Sequence, residues 1–152
     1  MKTNIKNKAL LEDLSAIHME MFHLPPLTAN IFTLMMFDFE KEGITFEEIL
    51  DATCASKSSV SNALNRLLQS NHIEFTNKLN ERKRYYRVNQ DVFKIHFRDT
   101  IIKLKKHKSV MQRYTSVRNE VLQLKDENSK KIQNFIELQE KVIELFEKSL
   151  EN

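Results

Sequence analysis

The sequence predicts a mainly α-helical fold that carries one small β-hairpin. One glycine and two prolines in 152 residues favour long helices over sheets and loops. Residues 44–88 have the pattern of a helix, a short turn, a second helix and two short strands with a basic tip. Beyond residue 91, apolar residues recur at helical spacing almost to the end. These patterns predict a winged helix-turn-helix followed by long C-terminal dimerisation helices.

Two helices are predicted before the helix-turn-helix. Leu10, Leu14 and Ile17 belong to an apolar stripe that spans residues 8–22. The prolines that follow Leu24 cannot continue this helix. Thr28 is suited to capping a second helix that runs to about Phe39. This second helix is apolar on most sides, so we expect it to be buried on most sides.

The helix-turn-helix begins at a capping box formed by Thr45 and Glu48, which starts a helix at about Phe46. Cys54 and Ala55 supply a short turn of small residues. Ser56 is a good N-cap for a second helix over residues 57–70. The inner face of that helix is predicted to consist of Val60, Ala63, Leu64 and Leu67.

The outer face of the second helix differs from an ordinary solvated face. It lacks the usual Glu–Lys pairs, and no acidic residue occurs between residues 52 and 73. Short hydrogen-bonding side chains suit base edges and phosphates, and the lack of acids avoids repulsion from phosphate. The candidate base readers are Ser58, Ser61, Asn62 and Asn65, and the candidate phosphate ligands are Lys57, Ser59 and Arg66. The alternative is a polar helix that merely covers a small core.

The predicted hairpin has strands at residues 73–76 and 86–88, where apolar and polar residues alternate. Arg82, Lys83 and Arg84 cluster at its tip, and such a tip beside a recognition helix can reach a minor groove or the DNA backbone. Tyr85 and Tyr86 should point to opposite faces of the strand.

A family resemblance rests on these residues. The run from Ser56 to Leu64, followed by Leu67, Ile73 and residues 82–86, resembles the MarR-type winged-helix regulators and, among them, the GbsR-like branch. The resemblance spans roughly residues 24–88. It implies a dimeric DNA-binding transcription factor, often a repressor, whose second helix enters the major groove. Family members often have glycine where this chain has Asn71 and Asn80, and Asn is the usual second choice for a left-handed backbone.

The C-terminal region should contain two long helices. Asp91 can cap one that starts at Val92, residues 125–129 form a polar break, and the last helix spans residues 130–150. Its predicted inner face includes Phe135, Leu138, Leu145 and Phe146. The apolar stripes of both helices need partners, which are most simply the same helices of a second chain. An intrachain hairpin that closes on the first helix is the alternative.

The predicted domains are therefore residues 1–90, the DNA-binding domain with an N-terminal helix that contributes to the dimer, and residues 91–152, a helical dimerisation region. Charge follows a similar division. Residues 52–118 hold fifteen basic and four acidic residues, a net charge of +11, within a chain of net charge +3. A basic surface concentrated in this way favours nucleic acid as the partner.

Other classes of site find little support. The five histidines lack metal-ligand spacing, and no catalytic constellation is recognisable, so we predict neither a cofactor, a metal nor an enzyme. The single cysteine excludes an internal disulfide, although Cys54 beside DNA could sense redox state. No signal peptide or membrane span is evident, which predicts a cytoplasmic protein. An effector pocket, as an alternative to core packing, could be lined by Met19, Met21, Met35, Met36, Phe37 and Phe39.

The sequence thus predicts a homodimeric, sequence-specific regulator of transcription that binds double-stranded DNA, and a repressor in particular. The alternative is a winged-helix protein-interaction module in a larger assembly that binds DNA weakly and without sequence preference.

Overall fold

The computed structural model describes residues 8–78, 81–122 and 127–151, and these form six helices and three strands. Contacts divide the chain into two compact units, with the division between Val92 and Phe93. In the first unit the elements are α1 (Lys8–Phe22), α2 (Pro26–Met36), β1 (Ile44–Thr45), α3 (Phe46–Thr53), α4 (Lys57–Gln69), β2 (Ile73–Asn77) and β3 (Arg84–Val88). The second unit contains α5 (Val92–Leu122), which begins at the division, and α6 (Glu127–Leu150). This is the winged helix-turn-helix with long C-terminal helices that the sequence predicts.

Helix α2 is the centre of the first unit. Ile31 and Phe32 are fully buried, and α2 packs against α1, α3, α4 and the sheet. Helix α1 is joined to α2 by polar contacts as well: His18 Nδ1 and Thr33 Oγ1 are hydrogen-bonded at 2.8 Å, and the Ser15 hydroxyl donates to Asn30. The expectation that α2 is buried on most sides is confirmed.

The predicted limits of α2 are wrong at both ends. The helix starts at Pro26. The N–H group of the first helical residue has no partner within a helix, so a proline, which lacks that group, loses no hydrogen bond there. Thr28 is therefore a buried residue of the first turn and not the cap. At the other end the helix stops at Met36, since the amide of Phe37 turns back to the Leu34 carbonyl at 3.2 Å.

The sheet has three antiparallel strands in the order β1-β3-β2, one strand more than the predicted hairpin. In β1, Ile44 pairs with Tyr86 and Thr45 pairs with Tyr85. Gly43, with φ of 85°, allows the chain to approach β3 closely just before β1. A Cβ atom at this position would lie only 2.8 Å from Tyr85 Cβ. The strand is too short to give an alternating pattern, which explains why the sequence did not predict it.

The capping box of α3 is confirmed. The Thr45 amide donates to Glu48 Oε2 at 2.9 Å, and the Glu48 amide donates to Thr45 Oγ1 at 3.3 Å. The bond from the Thr45 amide is the main cause that lowers the pKa of Glu48 to about 2. A charged Glu48 thus holds the start of the helix-turn-helix.

In the second unit, α5 and α6 form an antiparallel hairpin. Lys105 pairs with Glu147 at 2.5 Å, Lys108 pairs with Glu140 at 2.8 Å, and the Phe97 and Phe146 rings lie 5.5 Å apart. Within the described residues, no helix is long and apolar enough to cross a membrane.

Helix α6 begins at Glu127, three residues before its predicted start. Ser129, expected in a polar break, is a buried helical residue whose hydroxyl donates to Asn119 and accepts from Arg118. Residues 124–126, which include part of the predicted break, lie outside the described residues. Three residues predicted on the inner face of α6 are exposed, namely Phe135, Leu138 and Leu145, although the Phe135 ring still lies 6.1 Å from the His107 ring of α5.

Candidate nucleic-acid interface

Helix α4 has the limits and the inner face that its sequence predicts, except that it ends at Gln69 rather than at Ser70. The Ser56 hydroxyl caps its start by accepting the Ser59 amide at 3.2 Å. Ser70 lies just past the end, where its hydroxyl donates to the Arg66 carbonyl at 2.9 Å. The residues that α4 buries are Val60, Ala63, Leu64 and Leu67, as predicted.

The side chains that the sequence singled out on α4 all lie on its exposed surface. Those residues are Lys57, Ser58, Ser59, Ser61, Asn62, Asn65 and Arg66. No described residue forms an ion pair with Lys57 or Arg66, whereas other basic residues such as Lys105 and Lys108 are paired with acids. Among the described residues, no acid pairs with the two cations of α4 and competes with a phosphate.

Three hydroxyl groups gather at the N-terminal end of α4. Ser56 Oγ lies 3.1 Å from Ser58 Oγ and 2.8 Å from Ser59 Oγ. A hydroxyl keeps acceptor capacity after making one such bond. These groups stand beside first-turn amides that have no helical partner, an arrangement that suits an anion.

The residues that border α4 have left-handed backbones. Asn71 has φ of 56°, which confirms the expectation of a left-handed asparagine just after α4. Cys54, at the end of α3, has φ of 52°. Cys54 lies in the predicted turn of small residues but is exposed there and not buried. Its thiol donates to the Asp51 carbonyl of α3 at 3.8 Å.

The wing is formed by β2 and β3, which pair from Ile73 opposite Val88 to Asn77 opposite Arg84. Arg82 and Lys83 are exposed in the loop before β3, and Arg84 starts the strand. The Arg84 guanidinium lies over the Phe75 ring, 5.0 Å from its centroid. Asn80, predicted at the wing tip, lies outside the described residues.

The three basic residues of the wing are not equivalent. No described residue forms an ion pair with Arg82. Lys83 lines a groove of about 770 Å³ whose other charged residues, apart from one lysine, are acidic. The acids of that groove are Asp38, Glu40, Glu42, Glu47, Glu48 and Asp51. Arg82 is therefore freer than Lys83 to face a phosphate.

The two tyrosines occupy opposite faces of β3, as predicted. Tyr86 belongs to the buried core, and Tyr85 is half-exposed. The Tyr85 hydroxyl donates to Glu81, which raises the pKa of the phenol. Lys78, a basic residue that the sequence did not single out, lies 4.4 Å from the Tyr85 ring centroid and 3.6 Å from a Glu42 oxygen. Lys78 therefore packs at the loop end of the wing, beyond the Asn77–Arg84 pair.

The residues considered for an effector pocket do not share one environment. Met35 is buried in the core, Met36 is half-buried, and Met19 and Met21 are exposed. Phe39 is 81% exposed. Among the described residues, no group of three His, Cys, Asp or Glu side chains could hold a metal ion.

Comparisons with known proteins bear on the fold. No protein-family model matches the chain, and no curated protein matches its sequence. A solved structure described as a transcriptional regulator is 18% identical, covers 92% of each chain and has a TM-score of 0.55. MepR, a transcription regulator of the Staphylococcus aureus multidrug efflux pump MepA, is 16% identical over 88% of this chain and 91% of its own, with a TM-score of 0.45. AbsC, a MarR family transcriptional regulator from Streptomyces coelicolor, is 17% identical over 99% and 92%, with a TM-score of 0.44.

Of these three structures, the first has a TM-score above 0.5, so the conclusion about the fold rests on it. At 18% identity it indicates a shared fold and not a shared function. The chain therefore has the overall fold of a solved transcriptional regulator.

Proposed function

We propose that the chain is a sequence-specific regulator of transcription that binds double-stranded DNA as a homodimer. The observation that carries the proposal is the exposed face of α4, which holds amide, hydroxyl and unpaired basic side chains and no acid. In helix-turn-helix proteins the second helix lies in the major groove. Its side chains there meet base edges and phosphates, for which this set of groups is suited.

The roles of the individual residues follow from their chemistry. Asn62 and Asn65 can each make a paired hydrogen bond to adenine, and Ser58 and Ser61 can bond either partner of a base pair. Lys57, Ser59 and Arg66 hold phosphates beside the groove. Arg82 is the principal wing contact, with Lys83 and Arg84 in supporting roles.

The homodimer is supported by a second, exposed apolar surface on the α5/α6 hairpin, beside the contact between the two helices. On α5 it recurs at spacings of four, three and four residues, and on α6 at spacings of three and seven. The exposed residues that form it, called here the outer apolar face, are Val110, Tyr114, Val117, Val121, Phe135, Leu138 and Leu145.

The two stripes lie on the same side of the hairpin. Successive residues of a helix are rotated by about 100°. Viewed along its own helix, each stripe is therefore rotated by about a third of a turn from the face that contacts the other helix. The sense of this rotation is the same in α5 and α6. The His107 and Phe135 rings, 6.1 Å apart, meet on that side. The pairs of Lys105 and Lys108 with their glutamates lie toward the other side. Exposed apolar surface of this extent is typical of an interface, and we assign it to a second copy of the chain.

In finer detail, we propose that the chain is a repressor, which acts by occupying a near-palindromic promoter site. We also propose that it is cytoplasmic and that it belongs to the GbsR-like branch of the MarR-type regulators. A twofold dimer presents two recognition helices, which favours a near-palindromic operator. The support for the family is the sequence of α4 and the wing, from Ser56 to Tyr86.

Selection of bound sequences from a random pool of DNA duplexes tests the proposal. Enrichment of one near-palindromic motif by the wild-type chain is the expected result. The control is a variant with Lys57, Asn62, Asn65 and Arg66 replaced by alanine, which should enrich nothing although its core is unchanged. Binding without enrichment of any motif would instead favour the protein-interaction module, for which the outer apolar face would be the docking surface.

A further inference from the structure

Asn89 lies in the short connection between β3 and α5, where all four of its hydrogen-bonding groups have partners. Its backbone amide donates to the His72 carbonyl at 3.0 Å, and Nδ2 donates to the Asn71 carbonyl at 3.0 Å. In the other direction, Oδ1 accepts the Asp91 amide at 2.9 Å, and the Asn89 carbonyl accepts the Val92 amide at 3.1 Å. The residue thus bonds to two separate turns of the chain.

The first of these turns ends the recognition helix. Asn71 has a left-handed backbone, and the His72 amide donates to the Leu67 carbonyl at 2.9 Å, which closes the end of α4. The next residue, Ile73, starts β2, the first strand of the wing. The position of this turn therefore sets the direction in which the wing leaves α4.

The second turn starts α5 directly after the wing. The ladder between β2 and β3 ends at the pair formed by Ile73 and Val88. The bonds of Asn89 to Asn71 and His72 continue this pairing beyond the last ladder pair. They add to the backbone turn and to the hydrogen bond between Ser70 Oγ and His72 Nδ1, 2.7 Å, which also hold the base of the wing at the end of α4.

We infer that Asn89 is a positioning residue, which fixes the wing relative to the recognition helix so that both can contact one DNA duplex. The inference rests on the proposed function, because it concerns how the same surface binds DNA. A binding site of this kind must be held within about half an ångström of its working geometry by supporting hydrogen bonds. Asn89 contacts no base or phosphate in this account and acts through Asn71 and His72.

Two substitutions separate the bonds of Asn89. Asn89→Asp keeps the oxygen that accepts the Asp91 amide and places a second oxygen against the Asn71 carbonyl, so the tie to α4 is lost and the tie to α5 remains. Asn89→Ala removes both side-chain bonds without adding charge. Asn71→Gly is the matched control, because it keeps the carbonyl acceptor and suits the left-handed backbone. Gln90→Ala, at the exposed neighbour, is the second control.

The first measurement is binding to a selected duplex over a range of salt concentrations, well below the unfolding temperature. Asn89→Asp and Asn89→Ala should both bind about three- to tenfold more weakly, as expected for loss of the one hydrogen bond that ties Asn89 to the Asn71 carbonyl. The slope of log affinity against log salt should fall by about one or more, because a misdirected wing loses a phosphate contact. A residue that only stabilises the fold would leave the slope of the folded protein unchanged. Both control variants should behave as the wild type.

The second measurement is amide hydrogen exchange at Asn71, His72 and Asn89 without DNA. Faster exchange in both Asn89 variants, together with the weaker and less salt-dependent binding, supports the inference. If the wild type binds DNA and the Asn89 variants keep its affinity and its salt slope, the positioning role is overturned and the proposed function is not. Failure of the wild type to bind any duplex overturns the proposed function, and the positioning role with it. If Asn89→Asp does not fold, the uncharged Asn89→Ala decides.

Discussion

Glu74 and Arg87 face each other across the two strands of the wing, where Arg87 Nε donates to Glu74 Oε1 at 2.7 Å. Basic residues close together in the sequence therefore have different roles. Arg87 is neutralised by its cross-strand partner, whereas no described residue forms an ion pair with Arg82. Binding of phosphate by the wing should depend on Arg82 and not on Arg87.

The first prediction concerns this difference. Arg82→Ala should weaken binding to many DNA sequences alike and should reduce the salt slope by about one, since one phosphate contact is lost. Titrations of a duplex at several salt concentrations measure both quantities. Lys8→Ala, which removes an exposed cation paired with Glu12 on α1, is the control and should change neither. Unchanged affinity and slope after loss of Arg82, Lys83 and Arg84 together would mean that the wing points away from DNA.

The second prediction concerns the left-handed residue in the helix-turn-helix. A Cβ atom at φ of 52° is unfavourable, and Cys54 is exposed, so Cys54→Gly should raise the free energy of unfolding by about 1 kcal/mol. Cys54→Val should lower it, because a β-branched side chain tolerates this backbone poorly. Denaturant titration measures both changes.

The same variant decides the redox alternative. If the Cys54 thiol senses oxidants, DNA binding by the wild type should respond to peroxide and that of Cys54→Gly should not. Equal responses of the two proteins would exclude a sensing role for this residue.

The third prediction is a loss of stability in mild acid. His18 is buried against α2, and burial, followed by the charge of His72, lowers its pKa below the ordinary value of 6.5. Below about pH 6.5 the unfolded chain therefore takes up a proton at this histidine, whereas the folded chain does not. The contribution of neutral His18 to stability is thus fully present above that pH, and it is lost as the pH decreases toward the pKa of the folded state. Denaturant titrations at pH 7.5 and 5.5 should show the loss. His18→Asn should reduce the difference, and His23→Asn, at an exposed left-handed position, should not.

The fourth prediction concerns the outer apolar face. Leu138 is 56% exposed and lies outside the contact between α5 and α6, so Leu138→Glu should weaken association of two chains without unfolding the hairpin. Phe146→Glu should instead disrupt the hairpin, since Phe146 packs against Phe97. Sedimentation and circular dichroism separate these effects. Gln133→Glu, on the other side of α6, is the control. A wild-type chain that sediments as a folded monomer at micromolar concentration would contradict the assignment.

Local signals in the sequence were sufficient to predict most of the first unit. Each signal depends on bonds between near neighbours: the reciprocal cap of Thr45 and Glu48, the cap at Ser56 and the apolar period of α4. The features that were missed depend on distant partners. Strand β1 exists because Ile44 and Thr45 meet β3 some forty residues later, and the ties of Asn89 join it to residues 17 and 18 positions earlier.

The candidate site was predictable in a more limited sense. Periodicity was enough to predict that Asn62 and Asn65 face away from the core, and both are exposed. It could not distinguish Arg82 from Lys83 or Arg87, because their acidic neighbours are brought close only by the fold. On α6, a stripe that runs around much of the helix could not show which apolar residues face α5 and which face outward. The DNA-binding roles of all ten candidate residues stay predictions.

The central claim is that α4 recognises bases, and binding of Asn62→Ala and Asn65→Ala to a panel of single-base operator variants at fixed salt tests it most directly. Both residues are exposed, and alanine has the higher helix propensity, so thermal stability should change little. Each substitution should relax the preference at one or two operator positions, where a good base contact contributes about 1–3 kcal/mol of discrimination. Lys57→Ala should weaken all variants together. If both asparagine variants lose affinity uniformly and keep the wild-type preference, α4 only holds the DNA backbone and the claim is wrong.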